Sequence, residues 1–378
     1  MRPSPASSAA PEMLPPVRKF VFTLAAAAAM QFALGGAAPV LAAQTPPAKT
    51  VQAKKAVKTA VKKTSTAKAS AKRAAAKTPQ KARAVKTSLQ KKSVRRVKQR
   101  RAGMSPSQAT LAGLRKTEDP LMLGSSVAYA VDQDTGEELV VKNADVPLPI
   151  ASVTKLMTAL VIAESELPLN EKLRVTREDY VRSTASSKLR SGMRVTRGAL
   201  LQAALMSSDN RAAHALARTY PGGKRALVAR MNERARELGM SDSAFTDPTG
   251  LDNGNHSTAR DLSRLVAAVY EHQEIRSAST QPFATITAGK RRVNLSTTNR
   301  LIGDPSWRIG IQKTGFTTAA GRCMVVQSDV GERRLVMVVL DSPNNAQRAN
   351  DMRTMRAYVE GEAEFRRGFE ETIPYEIF

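Results

Sequence analysis

A serine hydroxyl and a lysine amine three residues apart on a helix share one face, a turn apart, and can there share a proton. Ser152-Val153-Thr154-Lys155 has this spacing at the start of an apolar stretch with helical periodicity. A serine at a helix N-terminus also lies beside backbone N–H groups that have no helical partner, and these can stabilise a developing oxyanion. The pattern discriminates poorly by itself, because Ser65-Thr66-Ala67-Lys68 and Ser88-Leu89-Gln90-Lys91 repeat it. Two further polar triplets follow in the chain, Ser208-Asp209-Asn210 and Lys313-Thr314-Gly315. Taken singly, the first reads as an interhelical loop whose Asp209 or Asn210 caps the next helix. The second reads as a strand end with a turn glycine.

The elements that must position these residues are legible in outline. Residues 126–132 and 137–142 alternate around Asp134-Thr135-Gly136 and predict a hairpin. A helical stretch follows over 152–164, 196–206, 211–220 and 224–238, the last stopping at Gly239. Thr258 with Asp261 forms a capping-box signature that opens a helix to about His272. Strand texture returns at 285–288 and 293–296 around Gly289-Lys290, then at 308–314, 322–328 and 335–340, the last two joined across Gly331. A closing helix is expected from about Asn344 to Arg366. Strands at both ends with helices between imply an α+β fold, an antiparallel sheet flanked by helices with an inserted helical subdomain at about 152–272.

The order of the three motifs, their separations of 56 and 105 residues, and their expected places resemble the penicillin-binding protein and serine β-lactamase superfamily. The resemblance runs from about Glu118 to Phe378 and is strongest to the low-molecular-mass D-alanyl-D-alanine peptidases. It is carried also by Pro149-Ile150-Ala151, Phe245-Thr246-Asp247-Pro248-Thr249-Gly250-Leu251, Ser257-Thr258-Ala259-Arg260-Asp261, Gly310-Ile311-Gln312 before Lys313, and Phe316-Thr317 with Ala320-Gly321-Arg322-Cys323 after Gly315. The resemblance implies that Ser152 is the nucleophile and Lys155 its general base, although which group takes the serine proton is disputed across the superfamily. It implies that Ser208 relays a proton to the leaving amine and that Asn210 binds the acyl-side amide. Lys313 and Thr314, with Gly315, would engage the leaving group's carboxylate, and the backbone N–H groups of Ser152 and Phe316 would form the oxyanion hole. It calls for no metal or cofactor. The implied partners are peptidoglycan stem peptides and cross-links, with β-lactams as covalent inhibitors.

Rival chemistries fit less well. Glu166-Leu167-Pro168-Leu169-Asn170 matches the class A β-lactamase string, but it precedes Ser208 where it should follow. A Ser-His-Asp hydrolase would need His214, His256 or His272. The first sits in an apolar helical stretch, the last at a helix end, and His256 in a loop of underivable role. Three scattered histidines and the single Cys323 give no zinc-ligand spacing, and one cysteine forms no intrachain disulfide.

The formal charge of +26 over 378 residues suggests a nucleic-acid binder until it is mapped. Residues 44–116 carry 22 Lys and Arg with no Asp or Glu, whereas residues 117–378 carry 34 basic against 32 acidic side chains. A Lys/Ala-rich basic linker, residues 44–117, is therefore expected to lack a fixed fold, and the peptidase domain covers 118–378. The linker is either an electrostatic tether to anionic wall or membrane polymers or a solvated spacer. It has neither base-stacking aromatics nor a structured basic face, which disfavours specific nucleic-acid binding, and a non-enzymatic wall-anchoring role would leave three ordered motifs unexplained. Residues 1–43 read as a cleaved signal peptide. Arg18 and Lys19 precede a predominantly apolar run over 20–34, and small residues precede Gln44. That run is short for a membrane span, the alternative being an uncleaved anchor, and Met1 and Met13 both stand as starts. The expected location is the periplasm. The short stretch beyond Gly315 and the texture of 317–323 favour a cross-link endopeptidase, with D-Ala-D-Ala carboxypeptidase as the alternative.

Overall fold

The computed structural model describes residues 105–183 and 185–372, with backbone only over 363–372. The expected signal segment and nearly all of the basic linker lie outside these residues. A short helix α1 (Gln108–Leu111) is capped by Ser107, whose Oγ accepts from the Thr110 N–H at 3.2 Å. The expected hairpin follows as β1 (Val127–Asp132) and β2 (Glu138–Lys142). Its turn is held by Asp132, whose carboxylate accepts from the N–H groups of Asp134 and Thr135 at 2.9 and 3.2 Å. Gly136 supplies the left-handed φ of 75° that the turn requires.

A two-residue strand β3 (Leu148–Pro149) leads into a 3-10 turn (Ala151–Thr154) and then α2 (Lys155–Glu164). A helix apolar on every side belongs inside a protein, and in α2 every residue from Lys155 to Ile162 is buried. The small pair β4 (Lys172–Arg174) and β5 (Arg194–Thr196) precedes α3 (Arg197–Met206) and α4 (Asn210–Arg218). Next come α5 (Gly223–Glu237), β6 (His256–Ser257), α6 (Ala259–Tyr270) and α7 (Gln273–Thr280). The chain then forms the hairpin β7 (Phe283–Ala288) and β8 (Arg291–Ser296), three long strands β9 (Arg308–Thr317), β10 (Gly321–Val330) and β11 (Arg333–Ser342), and the closing helix α8 (Asn345–Thr372).

The main sheet has the order β2-β1-β11-β10-β9, antiparallel throughout. β1 pairs with β11 from Val127↔Leu340 to Asp132↔Leu335, so strands some 200 residues apart form its middle. Side chains alternate across it. Val127, Tyr129 and Val131 join the larger core under the helices, whereas Ala128 and Ala130 join a smaller core with Met352, Met355 and Val359 of α8. The fold is therefore mixed α+β, as expected, with the sheet between α8 and the remaining helices.

Several elements differ from expectation. Ser152 lies in a 3-10 turn rather than in the α-helix itself. Lys313-Thr314-Gly315 lies inside β9, which runs on to Thr317, because Thr317 still pairs with Gly321 before the turn. The capping box at α6 is only half formed. Thr258 Oγ1 accepts from the Asp261 N–H at 3.0 Å, but the Asp261 carboxylate accepts from Asp242 N–H and Ser243 Oγ, both at 2.9 Å. Helix α7 had no sequence signal, since only Ile275 and Ala278 in it are buried apolar residues.

Candidate active site

Three elements converge on the 3-10 turn. In a 3-10 helix residues i and i+3 eclipse one another, and Lys155 Nζ lies 2.8 Å from Ser152 Oγ. The same amine donates to Asn210 Oδ1 at 2.7 Å and to the Thr249 carbonyl at 2.9 Å. Lys155 is 1% exposed, and burial pushes its amine down to about 7 against the opposing pull of the Asp247 and Asp209 carboxylates. A lysine in that range is available as a proton acceptor near neutrality.

The Ser208-Asp209-Asn210 turn joins α3 to α4. Ser208 holds a left-handed φ of 57°, uncommon for a residue with a side chain and found where surrounding structure enforces it. Asp209 caps α4 by accepting from the Ala212 N–H at 3.0 Å and accepts from Ser187 Oγ at 2.7 Å. Asp209 therefore serves as the helix cap, while Ser208 and Asn210 face the lysines Lys313 and Lys155. Because Asn210 Oδ1 faces Lys155, its Nδ2 is the group left to meet an incoming carbonyl. A cavity of about 290 Å³ opens beside Asn210, lined also by Tyr180, Ser183, Ser187 and Arg211.

Lys313, fully buried, donates to Ser208 Oγ at 3.0 Å and to the Thr314 carbonyl at 2.7 Å. Burial, then the neighbouring cations Lys155 and Arg348, hold its amine well below the usual lysine range. Thr314 Oγ1 lies 2.6 Å from Thr298 Oγ1. β9 is the outer strand of the sheet, so alternate backbone groups on its free edge have no sheet partner. That edge meets the Ser152 turn, and a Cβ added at Gly315 would lie 3.0 Å from Ser152 N and 2.9 Å from the Ile150 carbonyl. Glycine is what lets β9 approach the serine backbone so closely. Phe316 follows, its ring partly exposed under the Arg322 guanidinium at 4.6 Å.

One part of the site was not anticipated. The Asp247 carboxylate gathers the N–H groups of Thr249, Gly250 and Asp252 at 2.5, 2.9 and 2.7 Å, Thr249 Oγ1 at 2.6 Å and Asn255 Nδ2 at 3.0 Å. This loop presents the Thr249 carbonyl to Lys155, and at Gly250 (φ 79°) any side chain would collide with the Ala151 carbonyl. The 245–251 stretch stood out in the sequence, but its role depends on contacts with residues about a hundred positions earlier. Glu166, by contrast, is exposed beyond the far end of α2, whose last residue Glu164 lies about 14 Å along the helix axis from Lys155 at 1.5 Å per residue, away from Ser152. His256, paired with Pro149, has Nδ1 3.0 Å from the Gly254 carbonyl, and His272 precedes α7; neither is hydrogen-bonded to Ser152.

A sheet-edge glycine beside a serine in a 3-10 turn, with a buried lysine at the start of the central helix, fits an active-site-serine acyl hydrolase of the penicillin-binding type. A family model described as D-alanyl-D-alanine carboxypeptidase matches residues 115–344. The chain is 40% identical over 260 residues to a D-alanyl-D-alanine endopeptidase of Pseudomonas aeruginosa, covering 68% of this chain and 83% of that protein. It is 37% identical over 241 residues to the Escherichia coli D-alanyl-D-alanine endopeptidase, covering 63% and 78%. Among solved structures it is similar to the Streptomyces K15 DD-transpeptidase (TM-score 0.59, 27% identity, 64% of this chain and 98% of that one). It is also similar to ampicillin-bound penicillin-binding protein D2 of Listeria monocytogenes (TM-score 0.57, 30% identity, 64% and 99%). The chain belongs to the D-alanyl-D-alanine carboxypeptidase family of serine peptidases. It is a serine-type D-Ala-D-Ala peptidase acting in peptidoglycan chemistry.

Proposed function

We propose that this protein is an exported, periplasmic DD-endopeptidase that hydrolyses D-alanyl cross-links through an acyl-enzyme on Ser152 and is acylated there by β-lactams. The observation that carries this reading is the Lys155 amine, buried, near neutrality and 2.8 Å from Ser152 Oγ. Lys155 Nζ takes the hydroxyl proton as Ser152 Oγ attacks the D-alanyl carbonyl carbon. The backbone N–H groups of Ser152 and Phe316 receive the oxyanion. Asn210 Nδ2 holds the acyl-side amide, and Lys313 with Thr314 receives the carboxylate next to the scissile nitrogen. The C–N bond then breaks as a proton passes by way of Ser208 to the leaving amine, and water releases the acyl group and restores Ser152. A carboxylate arriving beside Lys313 favours the charged form of that amine, against the burial that lowers its proton affinity.

The endopeptidase choice is supported by the 37–40% identity to two proteins of that description. Purified cross-linked muropeptide dimers and free pentapeptides digested side by side test it, with dimers expected to be cut. Loss of terminal D-Ala with dimers intact would assign a carboxypeptidase instead. A Ser152→Ala protein should show no covalent penicillin mass increment, and an adduct on that variant would remove Ser152 from its role.

A further inference from the structure

Residues 180–208 and 275–303 contain no Asp or Glu and carry ten Lys and Arg, which leaves 24 basic against 32 acidic residues in the rest of 117–378. The near-neutral domain is therefore strongly polarised. The two stretches meet where the β7–β8 hairpin docks on β5, with the Gly289 N–H donating to the Arg194 carbonyl at 2.7 Å. Between them lies a cleft of about 470 Å³, whose cations are Lys188, Arg190, Arg291 and Arg292. Arg197 is not among them, being buried against Glu171 at 2.5 Å, and Arg276 is turned away onto the Tyr270 carbonyl. Lys188 donates to the Asn294 carbonyl at 2.6 Å, while Arg291 and Arg292 stand exposed at the start of β8. A concave site lined by one sign of charge, with no counter-charge in its own segments, concentrates the opposite charge.

The cleft adjoins the cavity beside Asn210. Ser187 lines both the cleft and the cavity beside Asn210, and its hydroxyl is anchored on Asp209. β8 provides the distance scale. Ser296 at its end exchanges hydrogen bonds with Ser207 Oγ at 3.1 and 3.3 Å, next to Ser208. Arg292 lies four residues back along an extended strand, about 13 Å away at 3.3 Å per residue. A peptide of three or four residues leaving the acyl-side subsite spans the same length.

We infer that the Lys188/Arg190/Arg291/Arg292 cleft is a specificity subsite that binds a free carboxylate on the acyl-donor stem peptide, on the third or fourth residue counted back from the scissile D-alanyl bond. This rests on the endopeptidase reading for its substrate but not for its geometry. The subsite selects acidic stems over amidated ones while leaving the chemistry at Ser152 untouched.

The test uses the full-length enzyme and a synthetic cross-linked dimer whose donor stem carries either a free D-glutamyl α-carboxylate or its primary amide. The carboxylate beside the scissile nitrogen is kept in both. Wild type should cleave the free acid about tenfold more efficiently, through KM and with a preference that fades as salt rises, the size expected of a few solvent-screened charge contacts. The Arg291→Glu/Arg292→Glu protein should lose the preference, and the Arg291→Lys/Arg292→Lys protein should keep most of it. Penicillin acylation of both variants reports that Ser152 remains competent. Equal cleavage of acid and amide by wild type, or a preference that survives the double Glu change, overturns the assignment. If wild type cuts neither dimer but trims free pentapeptides, the endopeptidase reading falls. The same acid-to-amide comparison on pentapeptides then decides the cleft by itself.

Discussion

Replacing Lys155 by Met separates the cost of burying the amine from its use. The folded state holds this amine at about 7, whereas an unfolded chain keeps its proton to about 10.4. Between these values the unfolded state binds more protons, so the wild type must gain stability as pH rises, at up to about 1.4 kcal/mol per pH unit. Methionine fills similar volume and has no proton to lose. Its loss of the contacts to Ser152, Asn210 and the Thr249 carbonyl is a pH-independent offset. Lys313 is present in both proteins, so most of its own contribution cancels. The stability of wild type relative to Lys155→Met should therefore rise by about 2 kcal/mol from about pH 7 to about pH 9, measured by chemical denaturation, and be flat below about pH 6. The rate of penicillin acylation of wild type should climb roughly tenfold per unit below about pH 7 and level above it, as expected for a base that must be neutral. A stability difference independent of pH across that window, with no inflection in acylation near 7, would mean that Lys155 keeps its proton and is not the base.

Asp247→Asn removes a carboxylate that favours the charged form of Lys155, so the acylation pH profile should move to lower pH, a shift that a loop merely loosened would not produce. Gly315→Ala places a methyl group 2.9–3.1 Å from Ile150 O, Ser152 N and Ala151 Cβ. It should cost about a hundredfold or more in acylation by spoiling the oxyanion site, with melting temperature nearly unchanged if β9 shifts as a unit. A wild-type rate in the Ala variant would take the β9 edge out of the oxyanion site.

Much of the outline was readable because its signals are local. The Asp134-Thr135-Gly136 turn, the Thr258 cap, and the left-handed glycines at Gly239 and Gly331 act on neighbours within a few residues. The pairs β3–β6 and β4–β5 were invisible, being two or three residues long and specified only by partners elsewhere in the chain. Helix α7 went unseen for a related reason. Its buried residues face α3 and β9, and neither neighbour is encoded in its own eight residues.

The sequence by itself determined the inventory of the site, through the order and spacing of Ser152, Ser208-Asp209-Asn210 and Lys313-Thr314-Gly315. It also placed most of the excess positive charge in residues 44–116, outside the peptidase domain. Only the tertiary structure decided what those residues can do. Two lysines hold their protons less tightly than usual because burial against an apolar helix and the sheet removes them from water. Asp247 acts through a loop that must fold against α2, and four cations line a cleft because a hairpin docks across β5. Proton affinity and electrostatic focusing depend on the dielectric and on neighbours at a few ångströms, and these are set when distant parts of the chain pack together.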